Sequence, residues 1–100
     1  MDLPMQATMK NTMLRLKLHK LGGILAPIIL NDVLLKNKKQ SKLTNGFLVV
    51  PKLRKAYWHL WVTCDDLDYD ISFFLNEDVM EFKENEYFLS TDRTFHDISF

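Results

Sequence analysis

The sequence predicts an all-β fold, a small barrel or sandwich of short antiparallel strands. Apolar and polar residues alternate over several short segments, which is the pattern of a strand with one buried face. Turn-forming residues separate these segments at short, regular intervals, as in a β-meander. The alternative is an α+β fold with one N-terminal helix, because Met5, Met9, Met13 and Leu16 also follow a helical spacing.

Alternation in the first half of the chain predicts three strands, over residues 14–18, 24–30 and 33–36. Gly22-Gly23 separates the first two of these strands. Pro27 confines the second strand to a sheet edge or a bulge, because proline has no N–H to donate to a neighbouring strand.

The middle of the chain carries the strongest strand pattern. Residues 37–45 predict a polar, lysine-rich loop that ends in the hairpin-type turn Asn45-Gly46. Residues 47–50 then form a strand that Pro51 ends, and residues 56–64, rich in aromatic and β-branched side chains, form the next one.

The last part of the chain predicts an acidic turn and a meander. The turn covers residues 65–68. Strands follow over residues 69–75, 79–82, 87–89 and 95–100.

The composition is that of one globular domain covering residues 1–100, since 47% of the residues are hydrophobic and 26% are charged. The single Cys64 excludes an internal disulfide and favours a reducing, cytoplasmic location. The longest weakly charged stretch, residues 21–35, is shorter than the ~20 residues that cross a bilayer. No targeting segment and no membrane association are therefore expected.

The net charge of zero conceals a separation along the chain. Residues 1–60 hold eleven basic and two acidic residues, a net +9, whereas residues 61–100 hold two basic and eleven acidic residues, a net −9. Such asymmetry predicts nucleic acid or a basic protein as partner, or a homo-oligomer formed through charge complementarity. Equally, the two halves could fold together so that their charges mingle across one sheet.

The first function predicted is a small non-enzymatic binding protein for single-stranded nucleic acid. Cations that track phosphates and aromatic faces on which bases stack are the groups that such binding needs. The candidate residues form a basic loop, a second basic turn and an aromatic strand: Lys36, Lys38, Lys39, Lys42, Lys52, Arg54, Lys55, Tyr57, Trp58 and Trp61.

Two local resemblances point the same way. Residues 45–51, Asn-Gly-Phe-Leu-Val-Val-Pro, with Arg54 just after them, resemble the central stretch of the small sporulation-G family of bacterial DNA-binding proteins. The C-terminal residues 97–100, Asp-Ile-Ser-Phe, are similar to the acidic, phenylalanine-ended tip by which bacterial single-stranded-DNA-binding proteins recruit partners.

The alternative function is a protein-interaction module, such as a phage-type inhibitor, antitoxin or immunity protein. Its acidic half would meet a basic surface through Asp65, Asp66, Asp68 and Phe100. The ten lysines against three arginines indicate an AT-rich coding sequence, which is compatible with a phage or mobile element.

Metal chemistry is a remote alternative. Asp66, Asp68, Asp70 and Glu77 match ligand positions of a calcium-binding EF-hand loop, but the residues before them predict a strand instead of the entering helix. An acidic turn therefore explains the same residues, and no metal or other cofactor is expected.

Asp70 with the run Glu81-Phe82-Lys83 resembles the acid-any-lysine motif of a metal-dependent nuclease superfamily. That resemblance implies magnesium held by the two acids and a water activated beside the lysine. Covalent catalysis by Cys64 is not expected, because His59 lies five residues earlier on the same predicted strand and so on its opposite face.

Overall fold

The computed structural model describes residues 3–70 and 86–96, and the fold is α+β. Two helices precede a curled, four-stranded antiparallel sheet with the strand order β3-β2-β1-β4. The elements are α1 (Leu3–Arg15), α2 (Gly22–Lys36), β1 (Ser41–Val50), β2 (Lys55–Cys64), β3 (Leu67–Tyr69) and β4 (Phe88–Ser90). The α+β alternative is thus confirmed, with two helices instead of one, and the all-β prediction is wrong for the first third of the chain.

Helix α1 follows from the methionine spacing. Met9 and Met13 are fully buried and Met5 packs partly against the same core, so the helical period predicts the buried side correctly. The strand predicted over residues 14–18 is wrong, because α1 runs to Arg15 and a left-handed residue, Lys17 (φ 56°), then turns the chain.

Helix α2 replaces the strands predicted over residues 24–30 and 33–36. Ala26, Leu30 and Leu34 repeat every four residues and are buried against the sheet and α1. The helix is apolar on its other sides as well, so the sequence shows no polar stripe from which the helical period could be recognised. Pro27 lies inside the helix, where it removes one backbone hydrogen bond without ending it.

Strands β1 and β2 form a long antiparallel hairpin that contains both predicted strands, over residues 47–50 and 56–64. The polar loop covers only residues 37–40, because β1 already begins at Ser41. The reversal takes place at residues 51–54, where a short 3-10 turn begins at Pro51 and a left-handed Arg54 (φ 54°) closes the loop.

The turn predicted at Asn45-Gly46 is therefore wrong, since both residues lie inside β1. Gly46 has a different reason to be glycine. A Cβ there would lie 2.6 Å from the Trp61 indole and 2.4 Å from the Ser90 carbonyl oxygen. The residue has no side chain because the indole crosses the strand at this point.

The β2–β3 connection is a two-residue turn at Asp65 and Asp66. Both residues have positive φ angles, 52° and 64°, and Cys64 pairs with Leu67 on either side of them. Positive φ at both central positions is the geometry of a type I′ hairpin. The predicted acidic turn is confirmed in place but is shorter than residues 65–68.

The second described range, residues 86–96, begins just before β4. The position of β4 agrees with the strand predicted over residues 87–89. Most of residues 69–75 and all of 79–82 lie outside the described residues. Residues 93–96 form a 3-10 turn, with the Thr94 N–H donating to Asp92 Oδ1 at 3.0 Å, whereas a strand was predicted from residue 95. Residues 97–100 lie outside the described part.

The helices pack on one face of the sheet, which we call the helix face. Val62, Cys64 and Tyr69 project from this face into a core shared with the two helices. The opposite face, which we call the far face, carries the alternate residues of each strand, including His59 and Trp61. No helix in the described part of the chain is long and apolar enough to cross a membrane.

Candidate nucleic-acid interface

The register of the β1–β2 hairpin divides the predicted basic site into two groups. Ser41 pairs with Cys64 at one end and Val50 pairs with Lys55 at the other, about 30 Å away for two ten-residue strands. The loop group lies at the first end and consists of Lys36, Lys38, Lys39 and Lys42. The tip group lies at the second end and consists of Lys52, Arg54 and Lys55. The ten predicted residues therefore do not form one surface.

The loop group is mixed with acidic residues. Lys36 Nζ lies 2.9 Å from Asp32 Oδ2, an exposed pair one helical turn apart. Lys42 and Asp66 line the same shallow cleft of about 260 Å³ between the start of β1 and the end of β2. At this end the charges of the two chain halves meet, as the second interpretation of the charge separation predicts.

The tip group has a different electrostatic setting. Lys52, Arg54 and Lys55 are all exposed, and no ion pair within the described residues involves any of them. The nearest described acid that shares a cleft with the group is Glu86, which lines a second cavity of about 260 Å³ beside Lys52. The tip therefore presents three cations to solvent within four residues of chain.

The predicted aromatic residues fall into two classes. Tyr57 is 43% exposed and Trp58 is 53% exposed, and they project from opposite faces of β2. Trp61, by contrast, is 1% exposed, so it cannot stack on a base. The strand pattern predicts that the aromatic residues alternate between the two faces of β2. It does not predict which of them are buried, because both faces carry aromatic residues.

The structure adds an aromatic residue that the sequence prediction missed. Phe88, which is 46% exposed, pairs with Val49 from one side of β1, while Ala56 of β2 pairs with Val49 from the other side. Phe88 thus lies on the helix face with Trp58, and strand and residue spacings place the two about 12 Å apart. Only the β1–β4 pairing, which joins residues forty positions apart, brings them to one end.

The carboxylate of Asp68 is bonded within the fold. Its Oδ1 atom accepts hydrogen bonds from Trp61 Nε1 at 3.0 Å and from the Thr63 hydroxyl at 2.8 Å. Because the Thr63 hydroxyl donates its one hydrogen to Asp68, Thr44 must be the donor in the 2.7 Å contact between the two threonines. This network joins β1, β2 and β3 on the far face, so Asp68, although exposed, also fixes the sheet register.

A buried pair lies on the same face. His59 Nε2 and Asp70 Oδ1 are 2.7 Å apart, and the two side chains are 16% and 4% exposed. The His59 ring also stacks on Trp61 with 6.3 Å between centroids. The second carboxylate oxygen of Asp70, Oδ2, is buried and has no hydrogen-bond partner among residues 3–70 and 86–96.

The remote metal hypotheses depend on residues outside the description. The calcium and the magnesium hypotheses both include Asp70, which is buried. Their other members Glu77, Glu81 and Lys83 lie outside the described residues. No group of three metal-ligating side chains occurs within residues 3–70 and 86–96. The described EF-hand-like acids lie in and after the β2–β3 turn, and a strand, β2, precedes them instead of a helix.

Cys64 is fully buried on the helix face, opposite to His59, as the strand parity predicts. Burial raises the pKa of the Cys64 thiol, the nearby Asp65 carboxylate raises it further, and Lys39 partly offsets these effects. A neutral, enclosed thiol is not suited to nucleophilic attack.

Of the residues predicted to contact a basic protein, Asp65 and Asp66 are exposed at the β2–β3 turn, and Phe100 lies outside the described residues. Both turn residues lie beside the loop group of lysines.

The chain matches no protein-family model, no curated protein sequence and no solved structure.

Proposed function

We propose that this protein binds single-stranded nucleic acid at the hairpin tip, through the tip group of cations together with Trp58 and Phe88. One observation carries the proposal: three exposed cations without an ion pair in the described chain lie at the end of the sheet where two exposed aromatic rings share a face. Cations of this kind hold phosphates, and the rings offer surfaces for stacked bases.

Single strands fit this arrangement better than a duplex. A base must leave its stack before an aromatic ring can cover its face, and an unpaired strand does this at little cost. The rings of Trp58 and Phe88 are separated by β1, so two different bases of one strand would contact them. Recognition by stacking predicts little dependence on base sequence.

The charge of the tip sets the expected salt dependence. Neutralising Z phosphates of a single strand gives a slope of about −0.7Z in a plot of log affinity against log salt concentration. Three contacts, by Lys52, Arg54 and Lys55, give a slope of about −2, which is a ~20-fold loss of affinity between 50 and 200 mM salt. A slope near zero would show that these cations do not contact phosphates.

The test is fluorescence anisotropy of a labelled single-stranded oligonucleotide of about 15 nucleotides, within the site size of small binding modules. The variant Lys52→Gln plus Lys55→Gln should bind more weakly and reduce the slope to about −0.7. The matched control is Lys38→Gln plus Lys39→Gln, which removes two lysines from the mixed-charge end and should leave the slope unchanged. No binding at 50 mM salt, or equal losses in both variants, would contradict the proposal.

The aromatic contribution has its own matched pair. Trp58→Ala should weaken binding by about 5- to 150-fold, the range for loss of one stacked base. Tyr57→Ala removes an exposed ring of similar size from the far face and should have a much smaller effect. If the tyrosine variant loses as much affinity as the tryptophan variant, the helix face is not the binding face.

A further inference from the structure

Helix α2 carries a mostly apolar surface, interrupted by Asp32, on the side that faces away from the core. We call it the outer stripe, and its members repeat at steps of three, four and seven residues: Leu21, Ile24, Leu25, Ile28 and Leu35. Their exposed fractions lie between 41% and 57%. Residues at these steps lie on one side of a helix, so the five side chains form one surface.

The outer stripe is not required by the core. The opposite side of α2, with Ala26, Leu30 and Leu34, already fills the space between the helix and the sheet. A scattered exposed leucine needs no explanation, but five exposed apolar residues on one side of a helix indicate that something covers that side.

From this surface we infer that α2 packs against α2 of a second copy of the chain, antiparallel and about a two-fold axis near residue 26. This register brings Ile24 against Ile28 of the second copy, and the symmetry repeats the contact on the other side of the axis. The middle of the stripe, around Ile24, Leu25 and Ile28, is then buried against itself, whereas Leu35 lies beyond the overlap of the two helices.

Two opposite charges fit the same register, one just before the stripe and one within it, between Ile28 and Leu35. Lys20 lies just before α2 and Asp32 lies in its last part, so the antiparallel arrangement places Lys20 of one copy opposite Asp32 of the other, twice. Asp32 is 61% exposed although it contacts Lys36, so its carboxylate is accessible to a second cation. The net charge of the chain is zero, so two copies have no overall repulsion to overcome.

The inferred interface is independent of the proposed nucleic-acid site. α2 packs over the end of the hairpin that contains Cys64, whereas the tip group and Trp58 lie toward the opposite end of the strands. Loss of dimerisation and loss of oligonucleotide binding are therefore separable results.

The test measures mass in solution by light scattering and sedimentation over a range of protein concentrations. The wild-type chain should approach twice its 11.8 kDa mass as concentration rises. Ile28→Asp should remain monomeric under the same conditions, because it places a carboxylate in the centre of the stripe. Leu53→Asp is the matched control, since Leu53 is similarly exposed, at 44%, but lies in the hairpin loop, and it should dimerise like wild type.

A charge exchange tests the register without disturbing the apolar contact. Lys20→Glu alone and Asp32→Lys alone should each weaken dimerisation at least several-fold, and the double variant should restore it. Far-ultraviolet circular dichroism of each variant verifies that α2 is intact. A wild-type chain that stays monomeric at every concentration, an Ile28→Asp dimer, or a double variant that does not recover would each overturn the inference.

Discussion

Gly46→Ala is expected to destabilise the fold, although alanine suits a strand better than glycine does. The new methyl carbon would lie 2.4 Å from the Ser90 carbonyl oxygen and 2.6 Å from Trp61 Cη2. Both distances are far below van der Waals contact, and one of the two atoms belongs to the backbone of β4. The change therefore forces either the indole or the short β1–β4 pairing to move.

The net effect is the difference between two opposing contributions. Replacing glycine by alanine in a strand contributes about 0.5–1 kcal/mol of stability through reduced freedom of the unfolded chain. Overpacking a filled site costs about 1–3 kcal/mol. The overpacking dominates because Trp61 is held by its Asp68 hydrogen bond, so we expect a loss of about 1–2 kcal/mol and a Tm lower by about 5–15 °C.

Thermal and urea unfolding followed by circular dichroism measures this loss. Asn45→Ala, at the neighbouring exposed position of β1, is the control and should change stability by no more than about 0.5 kcal/mol. In a double-mutant cycle, Trp61→Phe should cost less in the Gly46→Ala background than in wild type, because the shorter ring relieves one of the two clashes. A Gly46→Ala variant as stable as wild type would refute the packing explanation for this glycine.

Three further predictions concern the far face, the β2–β3 turn and the buried thiol. Asp68→Ala should cost about 1–3 kcal/mol in urea unfolding because two donors lose their acceptor. Asp65→Asn plus Asp66→Gly should raise stability by about 1 kcal/mol, because both positions have the positive φ that these residues tolerate best. Native Cys64 should resist alkylation. Because burial raises its pKa, unfolding stability should fall as pH rises above the ordinary thiol range, and Cys64→Ala should remove that fall.

The sequence predicted the strands of the hairpin well and the helices poorly, for one physical reason. Residues 47–50 and 56–64 are short runs of β-branched, aromatic and other apolar residues bounded by turn-forming residues, so they are recognisable as strands without knowledge of the rest of the fold. In α2 the residues facing the core and those of the outer stripe are both apolar, so no period of 3.6 stands out. If a second copy covers the outer stripe, the contact between the copies requires apolar residues there. Those residues are then the reason that the helical period cannot be recognised in the sequence.

The Asn45-Gly46 pair shows how a local pattern is overruled by a distant residue. The dipeptide favours a two-residue hairpin turn when nothing else constrains it. Here the indole of Trp61, fifteen positions later, occupies the space above Gly46. The hairpin turns instead lie at Arg54 and at the two aspartates, all of which have positive φ. No property of residues 45 and 46 alone distinguishes these two uses of a glycine.

The strand register also decides which charges remain available to a partner. In an antiparallel hairpin, residues near the turn meet residues close in sequence, and residues far from the turn meet residues distant in sequence. Lys42 is eight positions before the last residue of β1, so its cross-strand neighbour is Thr63, next to the acidic turn of the negative half of the chain. Lys52 and Lys55 lie at the reversal itself, so their neighbours within the hairpin belong to the positive half, although Glu86 lines a cleft with Lys52. The lysines at one end of the hairpin therefore lie beside acidic residues of the negative half, whereas those at the other end lie mostly beside residues of the positive half, which is why the tip, and not the longer lysine-rich loop, is the site to mutate first.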